Sequence, residues 1–290
     1  MTSPNRLLKA WNLRARKELG QNFLVNPAVA QQIVSQARLS RQDVVLEIGA
    51  GLGALTIAAA QIAAKVVAVE KDRRLVPLLR AELLACGLNH VQVMELDILS
   101  LDIPALAAAE GKHLVVMGNL PYNISSQVVV KLIQERQCVD RAVLMFQKEL
   151  AQRLCAGPGS KRYGRLSVML QYCAALQLLK NLPADQFHPR PKVDSAVMGI
   201  TFRTRIPHPA ADEQSMARMV QAAFGMRRKT LRNALSGSLL QLSPAAAVDL
   251  LERSGIDPTR RAETLSVDDF VRLTNTLDRH GAYDGASFQD

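Results

Sequence analysis

Cysteine is scarce in this chain: four residues in 290, and Cys86, Cys138, Cys155 and Cys173 stand far apart. No C-x-x-C pair and no cysteine–histidine cluster occurs, so a zinc-ribbon or dithiol centre is excluded. The thiols read as small core residues of a reducing compartment, and no metal is expected. No run of eighteen uncharged apolar residues appears, so no segment is expected to cross a membrane. The opening stretch, MTSPNRLLKAWNLRARKELG, has no apolar centre of the kind a secretory signal needs, and a cytoplasmic protein is the expectation. Acidic residues are also in deficit. Asp and Glu number 26 against 36 Lys and Arg, a net charge of +10, which favours a polyanionic partner held by phosphate contacts and counterion release. No internal repeat is evident, and the length suits one large and one small domain.

The chain is organised around Val44 to Thr56, VVLEIGAGLGALT. Its β-branched start suits a strand buried on both faces. Gly49, Gly51 and Gly53 then let the backbone reach φ > 0 and let a ligand approach main-chain N–H groups. Gly49, Gly51 and Ala54 also satisfy the spacing of a dinucleotide fingerprint, so the glycines alone leave the ligand open. The next strand, Val66 to Val69, ends in Glu70, a carboxylate placed to accept hydrogen bonds from ribose hydroxyls in either kind of site.

Strand and helix patterns then alternate. A helix to about Ala64 follows the glycines, and another is predicted from an Asp72 cap to Cys86. Val91 to Met94 makes a third strand ending near Asp97, which by itself is as readily a turn or cap aspartate. Leu114 to Met117 makes a fourth strand, a helix from about Ser126 follows a Ser125 cap, and Ala142 to Phe146 makes a fifth strand. Short connections throughout argue for a parallel doubly wound sheet with ligands at the strand C-terminal ends. Upstream, Asn26-Pro27 reads as the start of a helix running to about Arg38. Downstream, 157–164 reads as a basic loop, and Leu178 to Leu182 with Val193 to Phe202 as a closing pair of strands. Helical patterns at Asp212 to Phe224, Thr230 to Leu240, Pro244 to Arg253 and Ser266 to Leu277 make a small all-α domain. The expected domains are 1–205 and 206–290.

Asn119, Leu120, Pro121 and Tyr122 come directly after the fourth strand. The amino nitrogen of adenine is a poor nucleophile because its lone pair is delocalised into the ring. Acceptors on its two N–H bonds favour the pyramidal, nucleophilic form. Asn119 offers a side-chain carbonyl, the Leu120-Pro121 turn can present a backbone carbonyl, and Tyr122 offers a face on which an extruded base can stack. Turns of asparagine and proline are common, and the weight lies in their position after a glycine loop and a ribose-type glutamate.

Several separate blocks together resemble the ribosomal RNA adenine N6-dimethyltransferases: GQNFL at 20–24, EIGAGLGALT at 47–56, Glu70, Asp97-Ile98, NLPYNIS at 119–125, FQKELAQRL at 146–154 and FHPRPKVDS at 187–195. Phe224 with RRKTLRN at 227–233 is similar to the small-subunit branch of that family. The resemblance covers roughly residues 14–278. Ala50 and Gln127 stand where the family often has proline, which bears on loop rigidity alone.

The resemblance implies an α/β fold, a Rossmann-like S-adenosylmethionine-dependent methyltransferase sheet of seven strands with the last antiparallel, followed by a helical domain. It implies that Asn22 and Leu24 close over S-adenosylmethionine and that Gly49 lies against its aminoacyl part. Glu70 then binds the ribose and Asp97 the adenine amino group. Asn119 stands between cofactor and target base, with Leu120, Pro121 and Tyr122 completing the target pocket. The implied activity is N6,N6-dimethylation of two adjacent adenosines near the 3' end of small-subunit ribosomal RNA. The expected partner is that RNA in a partly assembled 30S-type particle, bound by a monomer. Arg227, Arg228, Lys229 and Arg232, with Arg162 and Lys192 on a second cluster, are the expected phosphate contacts. The rival readings are a ribosome-assembly or transcription factor that uses this fold only to bind nucleic acid, and, on the glycine spacing alone, a nicotinamide-dependent oxidoreductase.

Overall fold

A computed structural model describes residues 2–226 and 228–280. It divides into two compact units, Met1–Ala151 with Ala174–Thr204, and Gln152–Cys173 with Arg205–Asp290. The longer stretch of the second, helical unit begins at Arg205. The helical unit also takes in Gln152–Cys173, which the sequence boundary leaves in the first domain.

The elements run α1 (Pro4–Ala10), β1 (Phe23–Leu24), α2 (Pro27–Gln36), β2 (Val44–Ile48), α3 (Ala54–Ala60), β3 (Lys65–Glu70), α4 (Val76–Ala85), β4 (Val91–Glu95) and α5 (Ile103–Glu110). They continue as β5 (Leu114–Asn119), α6 (Ser125–Gln134), β6 (Val139–Gln147), α7 (Lys148–Leu154), α8 (Arg165–Cys173), β7 (Ala174–Leu182), β8 (Phe187–His188) and β9 (Ser195–Phe202). The helical unit adds α9 (Glu213–Gly225), α10 (Leu231–Ser236), α11 (Pro244–Arg253) and α12 (Val267–His280).

Seven strands form one sheet in the order β4-β3-β2-β5-β6-β9-β7. β2, β3, β4, β5 and β6 pair in parallel, and β9 is antiparallel to both β6 and β7. This is a Rossmann-like sheet, with β9, the last strand among the described residues, inserted in reverse. Every residue of β2 is buried because the strand lies between β3 and β5 and is covered on its faces. On one face the small side chains of α3 let Ala58 and Ala59 approach Val45, Val66 and Val115, with Ile33 and Val34 of α2 in the same cluster. The strand order turns back between β2 and β5. Connections therefore leave in opposite directions there and open a crevice at the strand C-terminal ends.

Several elements depart from the sequence reading. Helix α1 is anchored by Leu7 and Leu8, which join Phe23, Leu52, Leu75 and Leu78 in a buried cluster. Each buried leucine contributes about 1.5–3 kcal/mol by area. Helix α4 begins at Val76 with Leu75 as its cap, so Asp72 does not cap it. Asp72 instead holds the preceding turn, accepting from the Arg74 N–H and guanidinium. Ser125 is the first residue of α6, with Ile124 at the cap, and its hydroxyl bonds back to the Pro121 carbonyl. The short β1 and β8 pair as a separate antiparallel ribbon, which two-residue periodicity could not announce. Helix α8 runs straight into β7, so that strand begins four residues earlier than expected. In the helical unit, the ring of Phe224 stacks on Phe270 with centroids 5.8 Å apart and meets Tyr163 edge-on at 6.2 Å. Helix α10 ends at a Gly237 cap, shorter than the pattern suggested.

Candidate active site

A cavity at the C-terminal ends of β2, β3 and β5 is lined by Asn22, Leu24, Gly49, Glu70, Asp97, Asn119 and Pro121, among others. Six of these are the expected cofactor residues, drawn from five separate stretches of the chain. The sheet topology brings them together.

The floor is backbone. Gly49 and Gly51 have φ of +72° and +55°, and the Gly51 N–H donates to Glu70 Oε2 at 2.7 Å. Glu70 Oε1 accepts from the Asp72 N–H, also at 2.7 Å. Burial nevertheless leaves the Glu70 carboxyl above its ordinary range. Each oxygen keeps a second lone pair for a ligand hydroxyl. Gly118 shows a different constraint. A Cβ there would lie 2.6 Å from the Ile48 carbonyl oxygen, so only glycine lets β5 approach β2 this closely.

Asp97 Oδ1 caps a short 3-10 turn through the Leu99 N–H at 3.0 Å, and its Oδ2 accepts from Lys71 Nζ at 2.6 Å. Partial burial works to raise its pKa, but those two donors outweigh it and hold the carboxyl below the usual range. It is thus both a turn-capping aspartate and a cavity wall.

Asn119 Nδ2 donates to the Asn22 carbonyl at 2.7 Å. That bond uses one of the amide's two N–H donors, and Asn119 lines the cavity with Oδ1 free of the bond. Asn22 is held in turn, its own amide donating to the Gly20 carbonyl. Leu120 is buried, with its N–H on the Met145 carbonyl. The Pro121 carbonyl accepts from the Ile124 N–H and the Ser125 hydroxyl, which makes Leu120 the residue whose carbonyl can serve a ligand. Tyr122 is half-buried, and its hydroxyl lies 3.0 Å from Ser195 Oγ. Leu120 and Tyr122 do not line the cavity itself.

Four residues of this site were missed in the sequence. Gln21 Nε2 donates to Asp72 Oδ2 at 2.8 Å while its Oε1 accepts from the Arg16 N–H, clasping the GQNFL turn to the end of β3. Burial opposes ionisation of Asp72, yet the Arg74 and Gln21 donors bring its pKa down to about 2. Ser195, 1% exposed, fixes Tyr122. Glu47 lies fully buried in β2 and lines the cavity, and its Oε2 has no hydrogen-bond partner. Burial, with the Glu70 charge adding to it, pushes the Glu47 carboxyl up to about 8. An acid in the middle of a strand that is otherwise apolar was the available signal.

The expected RNA-contact residues are placed differently. Arg228, Lys229 and Arg232 are exposed at the start of α10, and Arg162 is exposed in the loop before α8. Arg227 lies outside the described residues. Arg232 shares a shallow groove with Asp249 and Glu252. Lys192 is exposed in the sheet unit, in the loop before β9. No cluster of three or more potential metal ligands occurs among the described residues, and no helix among them is long and apolar enough to cross a membrane.

The profile of the family described as ribosomal RNA adenine dimethylase matches residues 12–279. A protein of Desulforapulum autotrophicum described as ribosomal RNA small subunit methyltransferase A is 49% identical over 283 residues, covering 97% of this chain and 99% of the relative. One of Geobacter sulfurreducens with the same description is 44% identical over 91% of this chain and 96% of its own length. Among solved structures, a dimethyladenosine transferase from Plasmodium falciparum superposes with a TM-score of 0.78 at 28% identity, covering 89% of this chain and 98% of the other. The 23S rRNA methyltransferase ErmE gives 0.68 at 26% identity, over 89% and 100%.

Proposed function

This chain belongs to the ribosomal RNA adenine dimethylase family, and we propose that it transfers methyl groups from S-adenosylmethionine to N6 of two adjacent adenosines near the 3' end of small-subunit ribosomal RNA. The observation that carries this reading is the Asn119 amide, which is fixed by one N–H on the Asn22 carbonyl and keeps its oxygen to accept from the base.

The cavity residues fit the cofactor. Gly49 and Gly51 present backbone where a side chain would fill the space, Glu70 and Asp97 supply acceptors at adjacent strand ends, and Glu47 leaves a buried acceptor atom without a partner. Glu70 holds the ribose hydroxyls, Asp97 the adenine amino group, Gly49 the aminoacyl end, and Asn22 with Leu24 close the near side. When bound, the cofactor supplies a methyl group on positively charged sulfur.

Asn119 Oδ1 and the Leu120 carbonyl accept from the two N–H bonds of the target amino group. They favour the pyramidal nitrogen and orient its lone pair along the line of transfer, so alignment does most of the catalysis. Pro121 keeps the turn rigid. Tyr122, positioned by Ser195, stacks on the extruded base, an interaction worth about 1–3 kcal/mol. The proton released from the nitrogen passes to water, and no covalent enzyme intermediate forms. After the first methylation one N–H remains, so one of the two acceptors is released in the second round.

Arg227, Arg228, Lys229, Arg232, Arg162 and Lys192 contact phosphates, the helical unit (206–290 as first drawn) serving as an RNA-binding domain. The working enzyme is a cytoplasmic monomer acting on a partly assembled 30S-type particle. The test uses labelled S-adenosylmethionine and undermethylated small subunits, with mass analysis of the product nucleosides. N6,N6-dimethyladenosine appears with the native protein and vanishes with Asn119→Ala. Cofactor and subunit binding without any incorporation would favour the assembly-factor reading instead.

A further inference from the structure

The sheet unit carries a second depression, outside the cavity, between α1 with the turn that follows it and the His188-Pro189 segment. Asn5, Lys9, Asn12, Arg14 and His188 supply its polar wall. The five cations Arg6, Lys9, Arg14, Arg16 and Lys17 precede the first acid of the chain, Glu18. Arg16 meets that acid at 3.6 Å. Lys9 and Arg14 are exposed, and no ion pair is formed by either among the described residues. Further along the chain, Arg190 and Lys192 are exposed just past His188.

The depression adjoins the cavity. Phe23, which lines the cavity, pairs in register with His188, which lines the depression. Pro4 faces the cavity while Asn5 faces the depression. Trp11, in the turn between Lys9 and Asn12, is 46% exposed. For the only tryptophan of the chain that leaves a large flat face in water beside unpaired cations. Cations and amides over a short apolar floor, with an aromatic face on the adjoining turn, are the parts of a sequence-tolerant single-strand platform.

We propose that this groove binds the ribose-phosphate backbone of the RNA strand flanking the target adenosine, with Lys9 and Arg14 on phosphates and Trp11 against a neighbouring base. This rests on the reading of RNA as the substrate. A strand that delivers an extruded base to the cavity must leave it again, and the groove lies on the β1–β8 side of the cavity with Lys9 and Arg14 in its wall. An acidic protein segment would use the cations but not the aromatic face and amides together.

The test is the double variant Lys9→Gln/Arg14→Gln, with undermethylated small subunits as substrate and Arg41→Gln, an exposed cation before β2, as the control for net charge. The double variant raises KM for the subunit about ten-fold. It also makes the salt dependence of binding shallower by about 1.4 in log–log slope, at about 0.7 per single-strand phosphate. The control changes neither. In the native protein, acetylation of Lys9 by an amine-reactive reagent falls when subunits are bound, whereas that of Lys112 does not. Unchanged KM and slope, an equal effect of Arg41→Gln, or unprotected Lys9 in the complex each overturn the groove. Native protein that protects Lys9 yet transfers no methyl would instead overturn the proposed function and leave the groove standing.

Discussion

Glu47 gives the sharpest physical test because its carboxyl sits in the sheet centre with one oxygen unpaired. Its pKa is pushed from 4.5 to about 8 by burial above all. A raised acid binds its proton more tightly folded than unfolded. The associated stability is therefore complete below the unfolded value and is lost as pH rises through the folded one. The substitution Glu47→Gln keeps the shape and removes the charge. At about 1.4 kcal/mol per pH unit, the variant gains on the native protein by about 1.4 kcal/mol at pH 5.5. The gain rises to roughly 5 kcal/mol above pH 8, where it levels off. Denaturant unfolding at pH 5.5, 7 and 9 reads this out through Trp11, the only tryptophan, which lies in the sheet unit. A gap between variant and native that stays constant with pH would refute the reasoning, as would a native protein more stable than the variant at pH 9. Such a result would mean that Glu47 is ionised at ordinary pH and solvated through the cavity.

Asn119→Ala lowers methyl transfer by at least about a hundred-fold, the scale for loss of a preorganised polar group, while subunit binding measured by filtration stays within a few-fold. Tyr122→Ala costs about 1–3 kcal/mol of stacking, roughly a five- to 150-fold loss in kcat/KM, and Tyr122→Phe recovers most of it. Ser195→Ala lets the Tyr122 ring swing and lowers kcat/KM several-fold without touching cofactor affinity in a calorimetric titration, since the lost bond is worth about 1 kcal/mol. Gly118→Ala puts a methyl group against the Ile48 carbonyl oxygen and destabilises the sheet unit by about 1–3 kcal/mol or more, seen as a lower denaturant midpoint. A midpoint equal to that of the native protein would show that β5 can move away at no cost.

What could be read from the chain was local in origin. The apolar run into Gly49, Gly51 and Gly53, Glu70 at a strand end and Asn119 after another strand depend on residues that are neighbours in sequence. The alternating strand and helix pattern, whose crossover rules leave few topologies, indicated the doubly wound sheet. Asp72 illustrates the limit. As an aspartate before an apolar run it had the local signature of a helix cap, but Arg74 and Gln21 compete for its oxygens, and the helix starts four residues later.

Composition, periodicity and motif spacing by themselves determined the doubly wound α/β sheet and the places of the glycine loop and of the Asn119-to-Tyr122 turn. Only the tertiary structure decided how those parts are held. Asn119 finds its donor partner 97 residues away at Asn22, Tyr122 its anchor 73 residues on at Ser195, and Phe23 its partner strand at His188. Gly118 is required by the approach of a neighbouring strand, and Glu47 is raised by the layers that bury it. Hydrogen bonds and desolvation act over a few ångströms in space, and only the folded chain brings residues so distant in sequence within that range.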